Sequence, residues 1–228
     1  DVGEVLMGNV LTAGEGQAPA NQASIYAGIP THVPCTTVNK VCASGMKAIM
    51  LGAQGIQLES ADIVVAGGME NMSRVPYYLE KARGGYRLGH GQLIDGIISD
   101  GLWDPYKDFH MGTAAELCAA RYSLTREAQD DFARHSYERV ARAYEKEYFQ
   151  REITPVTIEG KTPSVVREDE EYRRADFQKM GKLRPAFQQG GTITAANASK
   201  INDGAAAVVL AGEAAIRAHG LTPLLRVV

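Results

Sequence analysis

The chain has 228 residues, of which 45% are hydrophobic and 22% charged, and its formal net charge is −3 at pH 7. This length suffices for one large or two small hydrophobic cores, and the near-neutral charge gives no broad basic surface that would indicate nucleic acid as a partner. No apolar run approaches the roughly eighteen residues that cross a bilayer, and no secretion signal opens the chain, so the sequence favours a soluble enzyme domain.

The first 72 residues alternate strand and helix patterns in the manner of a parallel sheet covered by helices on both faces. We expect strands at residues 2–10, 33–38 and 62–66, with Gly67 and Gly68 forming a tight turn after the third strand. One helix is expected at residues 21–27. A second helix begins at Cys42 and is expected to be mostly buried, because apolar residues recur in it at helical spacing: Met46, Ile49, Met50, Ala53, Ile56 and Leu58.

Prolines, glycines and charges interrupt the pattern between about residues 73 and 190, where two helices are the clearest elements. We expect them at residues 111–122 and 125–149, the second with Thr125 as its N-cap. The first carries an apolar stripe of Ala115, Cys118, Ala119 and Tyr122. The second carries two adjacent columns that predict one buried stripe: Phe132, Ser136, Val140 and Tyr144 beside Ala133, Tyr137 and Ala141. This region is predicted to be an inserted, mainly helical domain.

The sheet pattern resumes with predicted strands at residues 192–195 and 205–210, followed by a helix at 213–219 that ends at Gly220. Residues 223–228 predict one further strand. The predicted organisation is therefore an α/β domain formed by residues 1–72 and 191–228, with residues 73–190 inserted between its two parts.

Cys42 lies where an extended segment gives way to a helical pattern. The first turn of a helix exposes unpaired N–H groups and the positive end of the helix dipole, and both favour a thiolate over a thiol. The small neighbours Ala43, Ser44 and Gly45 leave the sulfur open to an acyl group. On residue type alone, a cysteine that packs as a small apolar group is the more common alternative. Cys35 lies in the extended run before this helix and Cys118 on an apolar helical stripe, so both are expected to be structural. Three cysteines without paired spacing indicate neither a disulfide framework nor a zinc site.

Residues 39–48, Asn-Lys-Val-Cys-Ala-Ser-Gly-Met-Lys-Ala, resemble the acyl-accepting cysteine segment of thiolases. Four further segments resemble thiolases in the same order: residues 67–73, 110–112, 194–199 and 202–207. On these motifs the chain is identified as a member of the thiolase family, most similar to the acetoacetyl-CoA thiolases, also called acetyl-CoA C-acetyltransferases. The resemblance implies a thiolase-like layered α/β/α fold with an inserted loop domain. It also implies a reversible Claisen condensation of two acetyl-CoA molecules through an acetyl group carried on Cys42.

The resemblance further implies that the chain lacks a first strand and helix and a whole C-terminal half. In thiolases that half supplies the histidine that activates the cysteine, a second cysteine and an asparagine. No Gly-His-Pro and no Asn-Glu-Ala-Phe occurs in the 228 residues. We therefore expect a fragment that is inactive alone.

The resemblance places substrate-binding residues mainly in the inserted region. Those matching coenzyme A or acyl contacts are Leu102, His110, Met111, Tyr137, Arg174, Ala175, Lys179 and Ser199. A potassium ion is implied at the Tyr137 side chain and the backbone carbonyls of Ala195, Ala196 and Ala198. Each has a plainer alternative, because Tyr137 fits a core tyrosine, His110 a packed or exposed histidine, and residues 168–179 a solvated charged loop. His32, His90, His135 and His219 match no motif.

One departure from the family is Asn21, where many members carry an arginine before the Gln-Ala pair. This position is assigned to structural contacts, so the departure concerns packing or assembly more than chemistry.

The expected partners are acetyl-CoA, coenzyme A and further copies of the chain in a dimer or tetramer, with no redox cofactor, nucleic acid or membrane. The expected location is the cytoplasm or mitochondrion. Two alternatives stay open: a degradative 3-ketoacyl-CoA thiolase, against which the motif at residues 110–112 and Tyr137 speak, and a non-catalytic acyl-CoA-binding module.

Overall fold

A computed structural model describes residues 1–228. The helices are α1 (Pro19–Tyr26), α2 (Ser44–Gln57), α3 (Met111–Arg121), α4 (Arg126–Glu145), α5 (Glu171–Arg174), α6 (Phe177–Met180) and α7 (Glu213–His219). The strands are β1 (Glu4–Gly8), β2 (Cys35–Val38), β3 (Ile63–Asn71), β4 (Tyr77–Tyr78), β5 (Ile94–Asp95), β6 (Trp103–Asp104), β7 (Phe109–His110), β8 (Val156–Ile158), β9 (Ser164–Val166) and β10 (Asp203–Ala211). No helix combines the length and apolar character needed to span a membrane.

Contacts divide the chain into two compact units. One comprises Asp1–Trp103 with Ile201–Val228, and the other comprises Asp104–Lys200. The domain boundaries at residues 72 and 190, which rest on the sequence pattern, stay a prediction.

The first unit is built on a four-stranded sheet in the order β10-β3-β1-β2. Strand β1 runs parallel to β2 and β3, whereas β10 is antiparallel to β3. Alternate residues of β1 face opposite sides of the sheet, as a pleated strand requires. Val5 and Met7 pack with Ala20 of α1, and Leu6 packs with Ala48 of α2. Helices therefore cover both faces, and the layered α/β/α arrangement predicted for this region is present.

The predicted turn at Gly67 and Gly68 is wrong, because β3 continues through both glycines to Asn71. A Cβ on Gly67 would lie 2.8 Å from the Ala207 Cα of β10 and closer still to the Ala206 carbonyl oxygen. These glycines allow neighbouring backbones to approach within a continuous strand, which in a single sequence resembles a turn signal.

Helix α2 is buried on a different face from the one its large apolar residues predicted. Its buried residues are Ser44, Ala48 and Gly52, whereas Met46 is 69% exposed. A Cβ on Gly52 would lie only 2.8 Å from the Leu210 side chain, so the stripe of small residues lets the helix pack closely on the sheet.

The last helix, α7, ends as predicted, with Gly220 in the left-handed region at φ 61°. Residues 223–228 form no strand.

In the second unit, α3 and α4 are present as expected, and the Thr125 hydroxyl caps α4 by accepting from the Ala128 N–H at 3.2 Å. The burial predicted for the α4 stripe is wrong, and of the apolar stripe of α3 only Ala119 is buried. Helix α4 has no buried residue and Phe132 is 73% exposed, while α3 buries Gly112, Glu116 and Ala119 and leaves Cys118 exposed. Residues 192–195 form no strand either, although Ile193 and Thr194 are buried.

Candidate active site

Cys42 is exposed and lies just before α2 rather than in its first turn. The helix begins at Ser44, and Ala43 is its N-cap residue, which makes no side-chain cap hydrogen bond. The helix therefore begins two residues later than expected. Cys42 sits in the connection that joins β2 to α2, with its side chain accessible from solvent.

The backbone around Cys42 forms a closed turn over residues 39–44. The Ala43 N–H donates to the Lys40 carbonyl at 3.2 Å, and the Ser44 N–H donates to the Val41 carbonyl at 3.0 Å. The Asn39 side chain accepts from the Val41 N–H at 3.0 Å. This turn, which we call the nucleophile turn after the role that the sequence predicts for Cys42, holds Cys42 from both sides through short-range hydrogen bonds.

Val41 adopts φ 50°, in the left-handed region. A β-branched residue is a genuine outlier there, because its Cβ crowds the neighbouring carbonyl oxygen. Such strain persists only where the surrounding structure over-determines the backbone, and it concentrates at functional sites. The residue that precedes Cys42 thus stores strain that the nucleophile turn must hold.

Beneath the nucleophile turn, four glycines bring three backbones into contact, and we call Gly8, Gly45, Gly67 and Gly68 the glycine platform. A Cβ on Gly8 would lie 2.5 Å from the Ser44 carbonyl carbon and 2.6 Å from the Gly45 nitrogen. A Cβ on Gly68 would lie 3.4 Å from the Gly45 Cα. The start of α2 therefore rests directly on the backbones of β1 and β3.

Glu70, in the motif at residues 67–73, fixes the segment that follows β1. Its carboxylate accepts from the backbone N–H groups of Val10 at 3.1 Å and Leu11 at 3.0 Å, and from the Asn9 side-chain amide at 3.0 Å. Hydrogen bonds to a charged acceptor are stronger than those between neutral groups, so two of them from the backbone and one from the Asn9 side chain anchor this segment firmly. The structure thus gives this motif a role in holding the loop beyond Gly8.

The second unit contains an open cavity of about 620 Å³ beside α4. Four of the residues implied by the family resemblance line it: Tyr137, Ala196, Ala198 and Ser199. Its walls also include the exposed face of α4 around Phe132 and Ser136. Four residues of the α4 stripe that looked like core in the sequence, Phe132, Ala133, Ser136 and Tyr137, therefore form a cavity wall. The half-buried Tyr137 ring packs edge-on against Phe177 at 6.2 Å between centroids.

The loop that carries the cavity's alanines is anchored by Glu116, which is only 3% exposed. Its carboxylate accepts from the Thr192 N–H at 2.9 Å, the Ile193 N–H at 2.8 Å and the Thr192 hydroxyl at 3.0 Å. Burial by itself raises the pKa of this carboxyl, but the Ile193 and Thr192 hydrogen bonds outweigh it and the pKa is lowered. Glu116 is therefore held as a carboxylate inside the unit.

Asn197 closes the same loop on itself. Its amide oxygen accepts from the Thr194 N–H at 2.7 Å, and its amide nitrogen donates to Asp130 at 2.9 Å and to the Thr192 carbonyl at 3.0 Å. The Ala195 carbonyl, one of the expected potassium ligands, accepts from the Lys200 ammonium group. A cationic side chain thus already occupies one oxygen of that set.

His110 caps the start of α3. Its Nδ1 accepts from the Gly112 N–H at 2.9 Å, and its ring stacks on Phe187 at 5.0 Å between centroids. Met111 follows at the first helical position. Leu102 belongs to the first unit, at the end of a single π-helical turn over Ile98–Leu102. None of these three lines the cavity beside α4.

Arg174, Ala175 and Lys179 lie on and between the short helices α5 and α6. Both basic side chains are exposed and paired with carboxylates, Arg174 with Glu170 at 2.7 Å and Lys179 with Asp176 at 2.8 Å. The Asp176 hydrogen bond raises the pKa of Lys179, and the same contact lowers the pKa of Asp176. An incoming phosphate would have to replace solvent-exposed carboxylate partners, which hold the cations weakly.

Sequence reasoning missed the anchoring residues Glu116, Asn197, Lys200 and Ser44. Glu116 had a usable signal, because it lies four residues after Gly112 and three before Ala119 on one face of α3. A glutamate on a buried helical face needs several donors. Asn197, Lys200 and Ser44 lie within or beside motifs and gave no separate signal.

Comparison with known proteins assigns this arrangement to a family. The family described as "Thiolase, N-terminal domain" matches residues 1–214. Acetyl-CoA acetyltransferase 2 of Arabidopsis thaliana is 56% identical over 95% of this chain and 55% of its own length. The mitochondrial acetyl-CoA acetyltransferase of Rattus norvegicus is 52% identical over 100% of this chain and 54% of its own length. The chain thus spans about half the length of these relatives.

A crystal structure of Acat5 thiolase from Ascaris suum in complex with coenzyme A superimposes with a TM-score of 0.91 at 45% identity, covering 97% of this chain and 57% of that one. This match confirms the thiolase-like α/β fold expected from the motifs. The family match and the curated relatives agree with it, and the chain belongs to the thiolase family of enzymes.

Proposed function

We propose that this chain carries the acyl-accepting part of an acetyl-CoA C-acetyltransferase, which condenses two acetyl-CoA molecules to acetoacetyl-CoA and coenzyme A. The observation that carries the proposal is the exposed Cys42 in a strained, hydrogen-bonded turn before α2. The relatives named acetyl-CoA acetyltransferase, at 49–56% identity, support this substrate over a longer acyl chain.

In the proposed first step, the Cys42 thiolate attacks the carbonyl carbon of acetyl-CoA. The carbon–sulfur bond to coenzyme A breaks, coenzyme A leaves as its thiolate and takes up a proton, and Cys42 keeps the acetyl group as a thioester. The Cys42 backbone N–H serves as one donor to the oxyanion. A second acetyl-CoA then loses a methyl proton to a general base, which we place in the C-terminal half that the family resemblance implies. The resulting carbanion attacks the acetyl carbonyl, the bond from that carbon to the Cys42 sulfur breaks, and acetoacetyl-CoA leaves while Cys42 returns to its thiolate.

We place coenzyme A contacts in the second unit. The cavity of about 620 Å³ lined by Tyr137 and Ser199 supports binding of the pantetheine part, because such a cavity can bury a narrow chain. The basic residues Arg174 and Lys179 suit adenine stacking and phosphate binding, respectively. The complex of the Ascaris suum thiolase with coenzyme A supports coenzyme A as the ligand.

The proposal predicts that radiolabelled acetyl moves from acetyl-CoA to Cys42 of the full-length protein. Cys42→Ser should reduce labelling to background, because a serine hydroxyl is a far weaker nucleophile than a thiolate. Cys118→Ser is the matched control, since Cys118 is also exposed but lies on α3. Labelling that survives in Cys42→Ser, or that vanishes in Cys118→Ser, would remove Cys42 from the mechanism.

We further propose a potassium ion beside Tyr137. The oxygens of Tyr137, Ala196 and Ala198 fit a hard cation, but Ala195 fits only if the Lys200 ammonium leaves its carbonyl. If the ion binds, potassium at tenfold its Kd should stabilise the protein by about 1.4 kcal/mol relative to choline at equal ionic strength. Thermal unfolding in the two chlorides measures this, and Tyr137→Phe should abolish the difference. Equal midpoints for the unmodified protein would contradict the ion.

Assembly and location complete the proposal. We place the full-length protein in a dimer or tetramer of identical subunits, in the mitochondrion or the cytoplasm. Both compartments occur in the names of its relatives, one mitochondrial from Rattus norvegicus and one cytosolic from Gibberella zeae.

A further inference from the structure

The Ser44 hydroxyl makes two hydrogen bonds, and neither is a helix cap. Its oxygen accepts from the Lys40 N–H at 2.9 Å and donates to the Val41 carbonyl at 2.6 Å. Ser44 is the first residue of α2, whereas a capping serine would stand one residue earlier, where this chain has Ala43. The Ser44 hydroxyl therefore bonds to the backbone of Lys40 and Val41, the two residues that precede Cys42.

Ser44 is also fixed in place. The residue is 5% exposed, and its backbone touches Gly8 of the glycine platform so closely that a Cβ on Gly8 would lie 2.5 Å from the Ser44 carbonyl carbon. The Ser44 side chain therefore projects from a backbone that is held tightly against β1. The residue it holds, Val41, is in a left-handed conformation that it avoids when unrestrained, and packing covers only about half of its surface.

We propose that Ser44 is a positioning residue for Cys42, holding Val41 at positive φ so that the sulfur faces the acyl group. This inference rests on the proposed acetyl transfer to Cys42. Ser44 touches no substrate in this role. It acts through the backbone of the nucleophile turn, and its loss should let Val41 relax and carry Cys42 with it.

The test compares Ser44→Ala, Val41→Gly and the double variant in the full-length protein. Glycine accepts positive φ without strain, so Val41→Gly should restore the turn once the hydroxyl is gone. We expect Ser44→Ala to slow acetylation of Cys42 by about tenfold to a hundredfold at saturating acetyl-CoA, with the half-saturating concentration changed less than about twofold. Val41→Gly alone should stay within about threefold of the unmodified protein, and the double variant should recover about tenfold.

Alkylation of Cys42 by iodoacetamide distinguishes a misoriented Cys42 from a disrupted turn. This small reagent needs no fixed approach direction, so its reaction rate does not depend on the orientation of the sulfur. The alkylation rate should be the same in all four proteins. Equal acetylation of Ser44→Ala and the unmodified protein, no recovery in the double variant, or a parallel loss of alkylation would each overturn the proposal.

If the unmodified protein takes no acetyl group, the proposed function fails and the positioning role is judged by amide exchange instead. The Ala43 N–H, which donates to the Lys40 carbonyl, should then exchange faster in Ser44→Ala and be protected again in the double variant. Unchanged exchange in Ser44→Ala would overturn the role independently of the reaction.

Discussion

Gly8→Ala should destabilise the first unit by at least about 3 kcal/mol and abolish acetylation of Cys42. The new Cβ would lie 2.5 Å from the Ser44 carbonyl carbon, 2.6 Å from the Gly45 nitrogen and 2.7 Å from the Ser44 Cβ. Two of these atoms belong to the backbone and cannot move by a rotamer change. The start of α2 must therefore shift away from β1, and the nucleophile turn shifts with it.

Urea unfolding of the full-length protein measures this loss, and transfer of labelled acetyl measures the effect on Cys42. Gly55→Ala is the matched control, because Gly55 lies in α2 with only the Glu4 side chain near its missing Cβ, at 3.9 Å. An alanine in a helix interior should raise stability there by about 0.5–1 kcal/mol. If Gly8→Ala and Gly55→Ala had the same free energy of unfolding, the close contact at Gly8 would not contribute to stability.

Glu116→Gln should reduce the stability of the second unit by about 2–4 kcal/mol at pH 7. The carboxylate accepts from the Thr192 N–H, the Ile193 N–H and the Thr192 hydroxyl. A glutamine can offer one oxygen, and its amide N–H₂ would face the remaining donors. Faster hydrogen exchange at the Thr192 and Ile193 amides locates the loss. Glu138→Gln, an exposed change in the middle of α4, should stay within about 0.5 kcal/mol.

The stability difference between the unmodified protein and Glu116→Gln has a defined pH dependence, because the folded-state pKa of Glu116 lies below its ordinary value of 4.5. The stabilisation is fully present above the unfolded-state pKa and is lost as pH falls through the folded-state pKa, since the unfolded chain binds the proton first. The unmodified protein should therefore lose stability below about pH 4.5 more steeply than Glu116→Gln. Parallel profiles for the two proteins would show that Glu116 is not the titrating anchor.

The sequence predicted the family and fold because both depend on motifs and apolar patterns that follow one another along the chain. The alternation of β1, α1, β2, α2 and β3 was visible as apolar periodicity, and Thr125 and Gly220 marked the ends of α4 and α7. These signals are local, and the structure retains them.

The errors share a different cause, which is that burial depends on partners far along the chain. The stripe of α4 resembled core because its residues recur at helical spacing in two adjacent columns, yet Phe132 of one column and Tyr137 of the other line a cavity formed with residues 196–200. Gly67 resembled a turn residue because the strand that requires a glycine there, β10 with Ala207 opposite Gly67, lies far along the chain. The pairing of Glu116 with Thr192 spans 76 positions. Such contacts leave no periodic trace.

At the glycine platform, the backbone at the start of α2 contacts the backbones of β1 and β3 directly. A contact between side chains can be rearranged by rotamer changes, and its formation restricts their freedom. Gly8, Gly45, Gly67 and Gly68 have no rotamers to lose or exchange, so the contact between the start of α2 and the sheet does not depend on side-chain rotamers. Warming should loosen the surrounding side chains well before it shifts this contact, and the first residues of α2, Ser44 and Gly45, should stay in place on the sheet until the sheet itself unfolds.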